Sequence, residues 1–405
     1  MQRACAAALL AGGETCLLDP GTAEDDLAAV AVIQSLGAHV TKLESGSLSI
    51  KSKGIAVSKA IAINCGESGL SLRMFVPIAA LTAENINING KGSLLKRPQH
   101  FFEEVLPLLG VALKTNNGYL PISFTGPLQP TTITIDGSLS SQFLTGLLMA
   151  YGGAAATAVS IHVNGLVSKP YIDLTLSVME QFGLPIPVNH NYCSFEFTSK
   201  KNGDRPLERT FTVEGDWSGA SFLVVAAALS GDVTIEGLNA DSLQADRQIL
   251  TVAELAQLPI LIQKNCIKVH QATISPFEFD ATDCPDLFPP LTALAVFASG
   301  ISCIKGVGRL THKESNRGVT LVEEFSKLGA LLEIKNDCLV IHGQHQLNGG
   351  IVSSCHDHRI AMALVVAGLR STQPVQVENA EAIGKSYPSF FSHLQSLGAS
   401  VSLTY

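Results

Sequence analysis

Residues 323–334, EEFSKLGALLEI, decide how this chain folds. Apolar residues at helical spacing run into a Leu-Gly pair, and the pattern then alternates. An amphipathic helix closed by a left-handed glycine and followed by a strand is the reading this spacing favours. The same element recurs as AVIQSLGAHV, EEVLPLLGVAL, SVMEQFGLPIPV, VAELAQLPILI and HLQSLGASVSL. Its leucine or phenylalanine falls at Leu36, Leu109, Phe182, Leu258, Leu328 and Leu397, steps of roughly 70–76 residues, the signature of a repeated supersecondary unit.

A second pattern runs between these beats. Helices rich in Ala, Ser and Gly and apolar nearly all round occur as GLSLRMFVPIAAL, SSQFLTGLLMAYG, SGASFLVVAAALSG, PDLFPPLTALAVFASG and HRIAMALVVAGL. A helix with no polar face belongs inside a layer. The opening MQRACAAALLAGG is the same helix in the first repeat, so it reads as core rather than as a signal peptide. The expectation is six βαβαββ-type repeats, three per domain. The polar stretch KKNGDRPLERT is the best boundary, which puts the domains at 1–212 and 213–405.

The totals fit such a chain. Its 405 residues are 46% hydrophobic and 15% charged, a composition for packed cores. A net charge of −8 argues against a nucleic-acid partner. Nine scattered cysteines without a CxxC suggest a reducing, cytoplasmic setting. The apolar runs fall short of the ~20 residues that a bilayer span needs.

Polar residues gather where the buried helices begin: GESG (66–69), SLSSQ (138–142), GDWSG (215–219), CPD (284–286) and HDHR (356–359). Ser and Asp there are ordinary caps, but helix N-termini in equivalent places also make a shared anion surface. The loops before the amphipathic helices add Lys96 and Arg97, Lys169, Lys313 and Arg317, and Lys385. Arg97, Lys313, Arg317, Arg359 and Lys385 would suit a ligand carrying several phosphates or carboxylates. Glu314 and Asp286 lie inside this basic set, either as salt-bridge partners or as a base against a substrate hydroxyl. Asp286 is expected to cap its helix.

With these residues assembled, the chain resembles the EPSP synthases, the 3-phosphoshikimate 1-carboxyvinyltransferases. SLSSQFLTGLLMA, VSKPYIDLTL, HKESNR, CHDHRIAMAL, GKSYPSFF and LKRP occur in the family's order along nearly the whole chain. The resemblance implies an enolpyruvyl transferase fold, an inside-out α/β barrel in two domains with the active site in the cleft between them. It implies transfer of the enolpyruvyl group of phosphoenolpyruvate to the 5-hydroxyl of shikimate 3-phosphate, with release of phosphate. No metal or organic cofactor, nucleic acid or membrane is implied, and the family default is a monomer.

Carried over residue by residue, Arg3, Ser140, Ser141, Gln142, Ser168, Tyr171, Asp286, Arg309 and Lys313 would meet shikimate 3-phosphate. Gly69, Arg97, Gln142, Arg317, Arg359 and Lys385 would meet phosphoenolpyruvate. Asp286 would accept the hydroxyl proton, and Glu314 would assist at the tetrahedral intermediate.

The chain departs from the family pattern in three places. Glu67 stands where Asn or a small residue is usual, with Leu70 in place of Thr; this carboxylate would have to turn away or pair with Arg73. Arg309 stands where Asn is frequent. Met1 falls two positions before Arg3, so the family's preceding strand and its Lys-Ser segment are not in this sequence. The resemblance then implies a chain about 20 residues short, an unpaired sheet edge in the second domain and slower turnover. Two rival readings follow: a catalytically impaired binding or regulatory form of the fold, and a UDP-N-acetylglucosamine enolpyruvyl transferase. The latter needs a reactive Cys that LKRPQHFFEEV does not offer.

Overall fold

The computed structural model describes residues 1–198, 207–264, 266–311 and 313–403. Ser199, residues 200–206 of the expected boundary stretch and His312 of the HKESNR motif lie outside that set. The chain divides into two compact units, Met1–Val213 and Glu214–Tyr405.

The first unit holds three four-stranded sheets of one design, each with a parallel pair followed by two antiparallel strands. In the first, Gly13–Leu18 pairs in parallel with Glu208–Thr212 and antiparallel with Leu48–Ser52, and His39–Lys42 forms the far edge. Ile61–Asn64, Asn85–Asn89, Tyr119–Thr125 and Ala112–Asn116 repeat the design, as do Ile133–Asp136, Val159–Asn164, Ser194–Phe197 and Val188–His190. Three helices supply the core: Gln2–Ala11, Gly69–Ala79 and Ser141–Gly153. Nearly every residue of the last two is buried, as their unbroken apolar composition requires. A side chain at Gly146 would meet the Arg73 carbonyl oxygen at 2.6 Å, so glycine is what lets these two helices pack so closely.

The second unit repeats the plan less fully. Its central helices are Trp217–Ser230, Phe288–Ala295 and His358–Gly368. Only the sheet of Glu278–Asp280, Ile301–Lys305, Cys338–His342 and Leu331–Lys335 has four described strands. Val233–Glu236, Cys266–Val269 and Ile260–Ile262 form a three-stranded sheet, and Gly350–Ser353 pairs with Val375–Glu378 alone.

The amphipathic helices end alike in all six repeats. A backbone N–H reaches back five residues at Ala38, Val111, Leu184, Leu258, Ala330 and Ala399, closing the turn at 2.8–3.1 Å. Two expectations change here. In the fourth repeat Gln257, at φ 57°, takes the left-handed position that glycine holds elsewhere. The counterpart of the beat leucine is therefore Ala256, and Leu258 is the residue after the turn. In the sixth repeat no strand follows Gly398 among the described residues. The sheet it would extend has two described strands, and strand backbone needs a partner ladder.

Among the described residues no helix is long and apolar enough to cross a membrane.

Candidate active site

Capping accounts for part of the polar pattern. Ser68, Ser140, Asp216 and Asp357 each accept a backbone N–H from the first turn of a central helix. Asp286 does not cap. It sits inside the turn Pro285–Leu287, whose cap is Cys284, and its carboxylate is taken by cations instead.

In the first unit the three helix N-termini meet through side chains. The Gln2 amide oxygen accepts from Ser68 Oγ at 3.1 Å and Ser71 Oγ at 2.9 Å. Arg73 donates to Gln142 Oε1 at 3.0 Å and lies 4.8 Å from the centre of the Phe143 ring. A Cβ on Gly69 would stand 2.6 Å from Arg97 Nη1 and 3.6 Å from Gln142 Oε1, so Gly69, Arg97 and Gln142 converge on one spot. Ser140 and Ser141 precede Gln142 at the same helix start.

Arg3 joins a second group. Its Nε donates to Thr175 Oγ1 at 2.9 Å, and its guanidinium lies 5.9 Å from the centre of the Tyr171 ring. Burial lowers its pKa to about 10, so it remains a cation at neutral pH. Ser168, buried and at φ 55°, leads directly into the helix that carries Tyr171. The unexpected carboxylate of Glu67 accepts from the backbone N–H and the hydroxyl of Ser93, both at 3.3 Å.

The second unit builds its share around a buried arginine. Arg317 is fully buried and donates to three carboxylates: Nη1 to Asp286 at 2.9 Å, Nη2 to Glu314 at 2.6 Å, Nε to Asp357 at 2.9 Å. Lys313 pairs with Asp286 at 3.1 Å, Arg359 with Asp286 at 3.3 Å, and Lys385 with Glu314 at 3.5 Å. Arg359 also donates to Ser218 Oγ, on the neighbouring central helix. Arg309 is joined to the group electrostatically, through Asp283 and Asp286.

These contacts set the protonation states. Burial alone would raise the Asp286 pKa, but Arg359, Lys313 and Arg317 outweigh it and hold the carboxyl far below the usual range. Burial opposes charge on Arg317 as well, yet Asp357, Glu314 and Asp286 raise its pKa on balance. His358 is pushed down to about 3, by burial first and then by Arg359, and its buried Nδ1 has no hydrogen-bond partner among the described residues. It is a neutral imidazole at physiological pH. Asp246 is raised to about 6, by burial and by Asp286, and it hydrogen-bonds Ser218.

Asp357, Ser218, Asp246 and Thr175 escape a reading of the sequence. Asp357 could have been found, since it lies within the HDHR motif and caps the helix that carries Arg359. Ser218 lies in the GDWSG stretch already marked at a helix start, whereas Asp246 and Thr175 reach the site through partners far along the chain and no spacing marks them.

Mixed sheets packed on central helices are the fold shared with solved enolpyruvyl transferases. The structure matches that of EPSP synthase from Acinetobacter baumannii with TM-score 0.77 and 24% identity, over 98% of this chain and 92% of that one. It also matches the enolpyruvyl transferase NikO from Streptomyces tendae, with TM-score 0.74 and 15% identity, over 100% and 93%.

The sequence narrows the class. The profile of EPSP synthase (3-phosphoshikimate 1-carboxyvinyltransferase) matches residues 2–394. The 3-phosphoshikimate 1-carboxyvinyltransferase of Clostridium kluyveri is 35% identical over 98% of this chain and 92% of its own length. That of Methanocorpusculum labreanum is 32% identical over 98% and 93%. The chain belongs to the EPSP synthase family.

Proposed function

We propose that this chain transfers the enolpyruvyl group of phosphoenolpyruvate to the 5-hydroxyl of shikimate 3-phosphate and releases phosphate. The observation that carries the reading is Asp286, a carboxylate kept ionised among Lys313, Arg317 and Arg359. A base so stabilised is weak while it is alone. Anionic substrates that engage the same cations draw them off Asp286, and its affinity for a proton rises when the hydroxyl arrives.

On this reading Arg3, Ser140, Ser141, Gln142, Ser168, Tyr171, Arg309 and Lys313 hold shikimate 3-phosphate. Gly69, Arg97, Gln142, Arg317, Arg359 and Lys385 hold phosphoenolpyruvate. The hydroxyl oxygen adds to C2 of phosphoenolpyruvate as its proton passes to Asp286, which afterwards returns it to solvent, and C3 gains a proton drawn from solvent. Loss of that proton from C3 with assistance from Glu314, and departure of phosphate, completes the exchange. The protein is read as a cytoplasmic monomer; all nine cysteines are free thiols, as a reducing compartment would keep them.

Steady-state kinetics with both substrates test the assignment. Arg359→Ala and Arg97→Ala should each raise the KM for phosphoenolpyruvate by about tenfold or more, because each removes a charge-assisted hydrogen-bonding group. The KM for shikimate 3-phosphate should change less. Unaltered phosphoenolpyruvate constants in both variants would refute the placement of that substrate.

A further inference from the structure

We propose that Thr175 is a positioning residue for shikimate 3-phosphate, fixing through its hydroxyl the direction in which Arg3 offers its guanidinium; this rests on the reading above. Thr175 is wholly buried in the helix Pro170–Gln181. Its hydroxyl donates to the Tyr171 carbonyl oxygen at 2.7 Å, lies 3.1 Å from Thr145 Oγ1 and accepts from Arg3 Nε at 2.9 Å.

A hydroxyl has one proton and two lone pairs. The proton is committed to Tyr171, one helical turn back, so the lone pairs are left for Thr145 and Arg3. Thr145 must then be the donor to Thr175. Three helices, Gln2–Ala11, Ser141–Gly153 and Pro170–Gln181, are tied at one oxygen that cannot reorient without breaking a buried bond.

The consequence falls on Arg3. No carboxylate among the described residues pairs with it, and only Nε has a hydrogen-bond acceptor. With Nε held and Tyr171 beside the guanidinium, the two terminal nitrogens form a free edge of fixed direction. Two parallel N–H groups are the geometry that takes a carboxylate or phosphate in a bidentate fashion. Thr175 thus decides whether a half-buried cation meets the ligand as an oriented fork or as a loose charge.

The test is calorimetric titration of shikimate 3-phosphate into the chain and its variants, with unfolding midpoints measured alongside. Thr175→Val keeps the shape and loses the acceptor, and it should weaken binding about 3- to 30-fold. Thr175→Ser should restore affinity to within about threefold. Thr145→Val, which spares both the Tyr171 and Arg3 bonds, should bind within about twofold of the parent. In an Arg3→Lys background, where no fork remains to be aimed, Thr175→Val should add nothing further.

If Thr175→Val does not fold, Thr175→Ala takes its place with the same expectation. A merely structural Thr175 would lower the unfolding midpoint and leave the affinity alone, and that result overturns the proposal. If Arg3→Lys weakens binding and Thr175→Val does not, the proposal fails while the wider reading stands. A parent chain that binds no shikimate 3-phosphate overturns both.

Discussion

The two compact units place cations at the N-termini of their central helices by opposite means. In the second unit each cation is matched. Arg317 alone serves Asp286, Glu314 and Asp357, and Lys313, Arg359 and Lys385 lean on the same acids. In the first unit Arg3 and Arg73 donate to a hydroxyl and an amide, and stack beside Tyr171 and Phe143. The difference separates two ways of seating a cation where a central helix begins. One holds charge in an ionic lattice shared with carboxylates. The other sets the cation against neutral acceptors and an aromatic ring.

The largest effect should come from the centre of the lattice. Asp286→Asn removes the proposed base and should lower turnover by about 100- to 10,000-fold. Shikimate 3-phosphate affinity, read by titration, should move far less. An Asp286→Asn protein with near-normal turnover would reduce that carboxylate to a counter-ion.

The contrast in stability comes next. Arg317→Met leaves three carboxylates facing one another in a buried setting and should cost about 3–5 kcal/mol in denaturant unfolding. Arg3→Met has no acid to abandon and should change stability by about 1 kcal/mol or less. Equal losses in the two variants would erase the distinction between the units.

A smaller signature lies in pH. The Asp246 carboxyl is raised to about 6, by burial and by Asp286, from the ordinary aspartate value of about 3.9. Between roughly pH 4 and pH 6 the folded chain keeps a proton there that the unfolded chain has lost. This group's contribution therefore makes stability fall as pH rises, by up to about 1.4 kcal/mol per pH unit within that window. Asp246→Asn should remove this component, so the variant gains on the parent from pH 4 to pH 6 and then runs parallel to it. A constant difference across the window would contradict the raised value.

Much of this contrast was readable in advance, and the reasons differ by level. The six repeats announce themselves because a helix stop needs a left-handed residue and a buried helix needs a continuous apolar surface. Those demands mark residues close together in the chain. The one misplaced beat, at Leu258, arose where Gln257 rather than glycine takes the left-handed turn. The last expected strand is absent from the described residues 398–403, and nothing local in HLQSLGASVSL distinguishes it from the five other copies.

At the site, charged residues in repeated loops stood out, and Asp286, Glu314, Lys313, Arg317, Arg359 and Lys385 do lie in one network. Whether a given acid is a cap, a counter-ion or a base was not legible, because that depends on contacts across tens of residues. Asp357 meets Arg317 forty positions away, and Thr175 meets Arg3 across 172. Glu67 raised the question of a carboxylate near a phosphate site; the structure gives it Ser93 as a hydrogen-bond partner.

The central claim is the proposed transfer of the enolpyruvyl group from phosphoenolpyruvate to shikimate 3-phosphate. Phosphate release by the chain, supplied with shikimate 3-phosphate and phosphoenolpyruvate together and then with each alone, tests it most directly. The account predicts release that requires both substrates, with enolpyruvyl product formed in equal amount. Binding of both substrates without release of phosphate, or release from phosphoenolpyruvate alone, would contradict it.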